Sequence, residues 1–229
     1  MSTTTAVRIG RQLDDRGEPV PDTGFEIDPD GPIADYLRRR EGPLVSNPVT
    51  GEWVARIEAD AESKLGLGIF GPHNAGPPRH YHVGYVESFE VVAGEFVFET
   101  DDTKRTLGPG DAYTVQPDVV HTFQNVSDEV GATATTTSPP ADTLDVIKTL
   151  FGLAHEGRLN DRGQPPFLQA MVTADEMADD TVFTSPPPAV SRALATVFAP
   201  IGRWRGYRAR YPRYQDDAFW ETHAEQPPF

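Results

Sequence analysis

The chain has 229 residues and a formal net charge of −15, with 3 lysines against 17 arginines and 20 aspartates; this argues against general nucleic-acid binding, because phosphate contacts need a basic face. Cysteine is absent, which excludes disulfides, thiolate ligands and a cysteine nucleophile. The length allows one sizeable core or two small ones, and no apolar run reaches the roughly 18 residues of a membrane-crossing helix.

Residues 1–42 are rich in Asp, Pro, Gly and Arg with little periodicity, and are predicted to be an arm or loosely wrapped extension. The opening MSTTTAVRIGRQLDD has no apolar core of the signal-peptide kind, so cytoplasmic residence is expected. Residues 43–138 alternate and turn often, with Gly66, Gly68, Gly71, Gly94, Gly108, Gly110 and Gly131 as punctuation. They are predicted to form a mainly β barrel, and a single one, since no pattern in it is repeated elsewhere.

Four side chains in this segment stand at metal-ligand spacing. In a strand alternate side chains share a face, so His80-Tyr81-His82 points two imidazoles the same way. Glu87 lies an odd number of positions from His82, and an unbroken strand would turn it away; Gly84 offers the irregularity that corrects this. Beyond it Glu87, Phe89 and Val91 share the inward face while Ser88 and Glu90 face out. Gly94 marks a turn, and Phe96 and Phe98 continue the inward pattern on a returning strand. In a later block His121 and Phe123 share a face, which brings a third imidazole among apolar residues. His80, His82, Glu87 and His121 are therefore expected to hold one divalent transition metal per chain, iron, manganese, nickel or zinc. Phe89, Phe96, Phe98, Tyr113 and Phe123 are expected to line the pocket around it.

The stretch HYHVGYVESFEVVAG, with His80, His82, Glu87 and Gly94, and the stretch GDAYTVQPDVVHTFQN, with Gly110, His121 and Asn125, resemble the two motifs of the cupin superfamily. The sequence departs from those motifs at Asn74, at Gln116 with Pro117 beside it, and at Asp118, none of which is a ligand; Asp tolerates the left-handed turn expected at 118 better than most residues. NPVTGE at Asn47–Glu52 and GYRARYPRY at Gly206–Tyr214 are similar to segments of poorly characterised single-domain bacterial and archaeal cupins. The resemblance implies a double-stranded β-helix, or jelly roll. It also implies a metal-dependent protein with a small-molecule substrate: dioxygenases, oxalate-degrading enzymes, and isomerases or lyases share the ligand set, as do binding modules without turnover. The aromatic lining leans the reading toward a dioxygenase-like oxidoreductase acting on a small, aromatic or otherwise apolar molecule. Pairing of barrels into a homodimer is expected from the same resemblance.

After Pro139-Pro140 the period changes, and residues 139–229 are predicted to be a helical extension packed on the barrel. Leu144, Ile147, Leu150, Phe151 and Ala154 recur at helical spacing, with Asp142 to cap the start and Gly157 to end the run. A further helix is predicted between Pro188 and Arg203, split or stopped near Pro200. From Thr181 to Gln215 there is no acidic residue, and Arg192, Arg203, Arg205, Arg208, Arg210 and Arg213 give that stretch +6 while the remainder carries −21. It is expected to dock on an acidic body, its own or a neighbouring subunit's, with the neighbour favoured. Among the other histidines, His73 fits neither pattern, His155 reads as a cap complementing a helix dipole, and His223 falls in a polar tail. Asn125 is expected to brace the turn after His121.

Overall fold

The alternation of the barrel segment is realised as two facing antiparallel sheets in a computed structural model that describes residues 5–229. β1 (Val7–Ile9) and β2 (Phe25–Ile27) pair with each other, and α1 (Pro32–Arg38) follows. Next come β3 (Val45–Asn47), β4 (Glu52–Ala59), β5 (Lys64–Phe70), β6 (His80–His82), β7 (Val86–Ala93), β8 (Phe96–Thr100), β9 (Lys104–Leu107), β10 (Ala112–Val115), β11 (His121–Asn125) and β12 (Gly131–Ser138). The remainder holds α2 (Thr143–His155), α3 (Phe167–Glu176), β13 (Thr181–Phe183), α4 (Pro188–Trp204), α5 (Pro212–Gln215) and α6 (Asp217–His223).

One sheet runs β10-β7-β12-β5-β4-β3 and the other β13-β6-β11-β8-β9, the crossing order of a jelly roll. Period-two alternation gives the larger sheet apolar residues on both faces. Phe70, Phe89, Val91 and Val115 point between the sheets and meet Phe96, Phe98 and Phe123 from the other side. Trp53, Ile57, Leu67, Ile69 and Val92 point out the back.

That back is covered by residues 5–42, which pack more closely than a loose arm would. Ile9, Phe25, Ile27, Ile33 and Leu37 are all buried against it, and the Trp53 indole N–H donates to the Gly10 carbonyl at 2.8 Å. The reason is that the two short strands and α1 each turn a few apolar residues to one side, too few for a periodic signal but enough to cover a sheet face.

The extension also differs from its sequence reading in three places. β13 is a strand inside a segment read as helical, and it adds to the edge of the smaller sheet by pairing Thr181 with His82, Val182 with Tyr81 and Phe183 with His80. Three residues are too few to show a period. α4 runs through Pro200 without a break, because Ala195, Ala199 and Gly202 bury against α3 on both sides of it. This packing offsets a proline penalty of about 3 kcal/mol in a helix interior. The arginine-rich stretch is paired within its own chain: Arg203 meets Asp175 at 2.7 Å and Arg213 meets Glu156 at 2.8 Å. α2 begins after Asp142 and ends beside Gly157 as its spacing predicts, although the Asp142 side chain makes no capping hydrogen bond and instead pairs with Lys64. Its Gly152 lets the Tyr214 ring dock where a Cβ would sit 2.3 Å from a ring carbon, and Tyr214 and Trp220 are both fully buried there.

Candidate metal centre

The four spacing-derived ligands converge. One ligand atom from each of His80, His82, Glu87 and His121 lies within 4.8 Å of every other, and the imidazole centroids stand 4.4 to 5.1 Å apart. β6 supplies two imidazoles by alternation. β11 lies beside it with His121 directly opposite His80, and Glu87 reaches across from β7 in the facing sheet. Gly84 has φ +84°, a left-handed backbone that an L side chain rarely adopts, and this bend is what puts Glu87 on the histidine side. Asp118 takes φ +63°, the turn expected of it, three residues before the strand that begins at His121.

Each imidazole is held from behind by Nδ1. In His80 that atom lies 2.7 Å from the Pro78 carbonyl and in His121 it lies 3.0 Å from the Val119 carbonyl. Carbonyls only accept, so both rings carry their proton on Nδ1 and turn Nε2 inward. The His82 Nδ1 lies 2.5 Å from the Tyr85 hydroxyl and 3.1 Å from the Thr181 hydroxyl, and both hydroxyls donate onward to Asp180. On the inner side the Nε2 atoms of His82 and His121 lie 2.8 and 3.1 Å from the same Glu87 carboxylate oxygen. With the protons on Nδ1, these contacts set nitrogen lone pairs against a carboxylate oxygen, and only a cation or an extra proton between them removes the repulsion. This donor set fits a divalent transition ion.

Electrostatics agree. Burial alone raises the Glu87 carboxyl, and it is held down to about 2 only when His121 and His82 turn a proton or positive charge toward it, which is the place a bound cation would take. Burial pushes His80 down to about 4, helped by the neighbouring imidazoles, so it is neutral at pH 7 and its Nε2 is free to ligate. Burial likewise pushes the Tyr85 phenol upward, keeping its proton in place behind His82.

Phe89, Phe96, Phe98 and Phe123 are buried and pack ring on ring, with centroids 5.0 to 6.4 Å apart. They form a dry core under the site, and Phe89 is 6.4 Å from the His121 ring. Tyr113 flanks Phe98 and shares a hydroxyl contact with Thr103. Beside Glu87 and Phe89 on the next strand stand Thr137 and Thr135, which share their inward face, and Gly66 lies one strand further on. Small and hydroxyl-bearing residues therefore border the carboxylate on that side. Asn125 does brace the turn: its amide nitrogen reaches the carbonyls of Gly71 and Glu129, and its oxygen accepts from Ser127. His73 is exposed and paired with Asp128, away from the cluster. His155 is no cationic cap, because burial and His223 push it down to about 4 and its Nε2 is taken by the Ser46 hydroxyl.

Spacing did not reveal Tyr85, Asp180 or Thr181. Tyr85 sits inside the first motif but carries no ligand signature, and Thr181 lies 99 residues from His82 in sequence.

Residues 66–137 match the family model described as "Cupin domain". No curated protein matches the chain. Among solved structures, KdgF from Halomonas sp. is 22% identical over 41% of this chain and 84% of its own, with a TM-score of 0.39. An RmlC-like cupin from Shewanella frigidimarina is 20% identical over 45% of this chain and 89% of its own, with a TM-score of 0.41. The Streptomyces nucleoside dehydratase Pac13 is 15% identical over 48% and 83%, with a TM-score of 0.38. Likeness at this level carries no argument about activity.

Proposed function

Since residues 66–137 are a cupin domain, we propose that this chain is a metal-dependent enzyme of dioxygenase-like oxidoreductase type, acting on a small organic molecule at His80, His82, Glu87 and His121. One observation carries the metal: three Nδ1-anchored imidazoles and one carboxylate offer their lone pairs to a common point. Held by His80, His82, Glu87 and His121, a divalent transition ion would supply a Lewis-acid or redox centre for a small organic substrate.

The protein's own groups have separable tasks. Glu87 contributes the negative charge that partly neutralises the cation. The phenylalanine core excludes water from below, which strengthens every electrostatic contact at the site. Thr135 and Thr137 offer hydroxyls that orient a polar group of the substrate beside Glu87. Asp180, through Tyr85 and Thr181, fixes the His82 ring and its tautomer.

The deciding experiment is dioxygen uptake by metal-loaded protein with catechols, flavonols and diketones. Consumption tied to substrate loss, abolished in His121→Ala, supports the oxidoreductase. Turnover of a substrate under argon would replace it with Lewis-acid isomerase or lyase chemistry, for which the Tyr85–Asp180 pair, able to hold a proton at His82, is the supporting observation. Binding without turnover would make the chain a small-molecule binding module.

We also propose a homodimer. With Arg203, Arg210 and Arg213 of the charged tail paired in cis, its contact would be the exposed apolar side of α4, where Val197, Ile201 and Trp204 stand at helical spacing and Trp204 is 83% exposed. Mass in solution of the wild type and of Trp204→Glu checks this: a dimer in both rejects that face.

A further inference from the structure

The strand that carries two of the metal ligands has a second face. His80 and His82 turn inward, so Tyr81 between them points out the back of the smaller sheet, and Val182, its cross-strand partner on β13, points with it. α3 and α4 stand over this patch without closing on it, and a cavity of about 360 Å³ remains between sheet and helices. Such a volume, about a dozen water volumes, lies within the ordinary range of small-molecule sites.

Its lining is selective. Ala174 on α3 and Ala178 in the turn after it form one wall, and Ala189 and Ala195 the α4 wall. Alanine on both sides leaves a narrow apolar slot where larger residues would have met and filled it. Two polar groups at the slot are unused: the Arg192 guanidinium has no ion-pair or hydrogen-bond partner among the described residues, and neither has the Tyr81 hydroxyl. The carboxylate that could have served Arg192, Asp175 on the opposite wall, is held by Arg203 at 2.7 Å. Arg192 also lies in the long acid-free stretch, so its field is not cancelled by its own helix.

We infer that this cavity is a second small-molecule site, taking an anionic amphiphile such as a medium-chain monocarboxylate. The apolar tail lies between the alanine walls over Val182, the carboxylate pairs with Arg192, and the Tyr81 hydroxyl donates to it or to a bridging water. The site does not depend on a metal or on the proposed catalysis. It does adjoin the metal centre: Thr181 reaches the cavity and its hydroxyl bonds the His82 Nδ1.

The test is calorimetric titration of the full chain with octanoate, and with octanol as the neutral isostere, before and after chelation. Saturable octanoate binding at a single site is expected, unaffected by chelation, with octanol weaker. Arg192→Ala should weaken octanoate roughly tenfold or more while leaving octanol unchanged. Ala189→Trp, a change at an exposed position on the rim, should block both ligands. Arg205→Ala removes another exposed, unpaired arginine outside the cavity and should change nothing. The proposal is overturned if octanoate does not bind, if binding survives both Arg192→Ala and Ala189→Trp, if Arg205→Ala weakens it equally, or if chelation abolishes it, which would place the ligand on the metal side.

Discussion

Histidines gather in two places in the molecule, and in only one of them do free ring nitrogens converge on a carboxylate. His80, His82 and His121 surround Glu87 between the sheets; His155 and His223 meet at a centroid distance of 5.7 Å where α2 and α6 pack. Burial depresses His80 and His155 alike, each to about 4, so a shifted titration does not separate the two groups. Direction does. In the first group the Nδ1 atoms are tied to backbone and hydroxyls and the Nε2 atoms meet at a carboxylate. In the second, the His155 Nε2 is spent on the Ser46 hydroxyl and the His223 Nδ1 on the Phe219 carbonyl, and the His223 ring stacks on Phe219 at 3.9 Å. No carboxylate pairs with either ring among the described residues. A perturbed histidine is thus a packing feature until its free nitrogen is shown to share a target with others.

The sharpest way to break this contrast is to delete one imidazole from each group. His121→Ala should lose most of the bound metal by elemental analysis, as should His80→Ala and His82→Ala, whereas His155→Ala should keep a full complement. Equal retention in His121→Ala and His155→Ala would remove the distinction.

The carboxylates offer a second contrast. Glu87→Gln should lower metal content severalfold, while Glu90→Gln, on the exposed side of the same strand, should match the wild type. If Glu90 were the costly position, the strand register would be wrong by an odd number of residues.

Stability should follow the metal, because the native cluster binds an ion that the unfolded chain cannot gather. At an ion concentration a thousandfold above the dissociation constant the stabilisation is about 4 kcal/mol, or roughly ten degrees in Tm for a chain of this size. Thermal unfolding before and after chelation reads this directly, and an unchanged Tm after verified removal would contradict it.

The second group should show itself through pH and not through metal. The folded His155 titrates near 4, below its ordinary 6.5, so between those values the unfolded chain binds the extra proton. Stability contributed by the neutral ring is therefore present above pH 6.5 and lost as pH falls toward 4, by about 1–3 kcal/mol. Urea unfolding at pH 7 and pH 4.5 should give a smaller drop for His155→Gln than for the wild type. A drop of the same size would show that His155 is not responsible.

The smallest effect concerns what stands behind the ligands. Thr181→Val removes a hydroxyl from the His82 Nδ1 while keeping the shape of the side chain, and should weaken metal affinity roughly tenfold in a competition titration with little change in Tm of the metal-free protein. An unchanged affinity would leave the Tyr85 hydroxyl as the sufficient partner.

The four-residue cluster and the barrel were legible in the chain because their signal is local. Alternation sets which faces His80, His82, Glu87, His121 and the inward phenylalanines share, and one irregular residue, Gly84, is enough to correct the register. The role of the phenylalanines was less legible: alternation says that a side chain faces inward, not whether the space before it is filled by another ring. The tertiary structure decided what lies far apart in the sequence. β13 completes the edge beside His82, Asp180 and Thr181 anchor that ring, residues 5–42 seal the back of the larger sheet, and α4 crosses Pro200 because α3 holds both of its halves. Three-residue strands and isolated hydroxyls have no period to read. Their positions follow from packing between segments that meet only when the chain is folded.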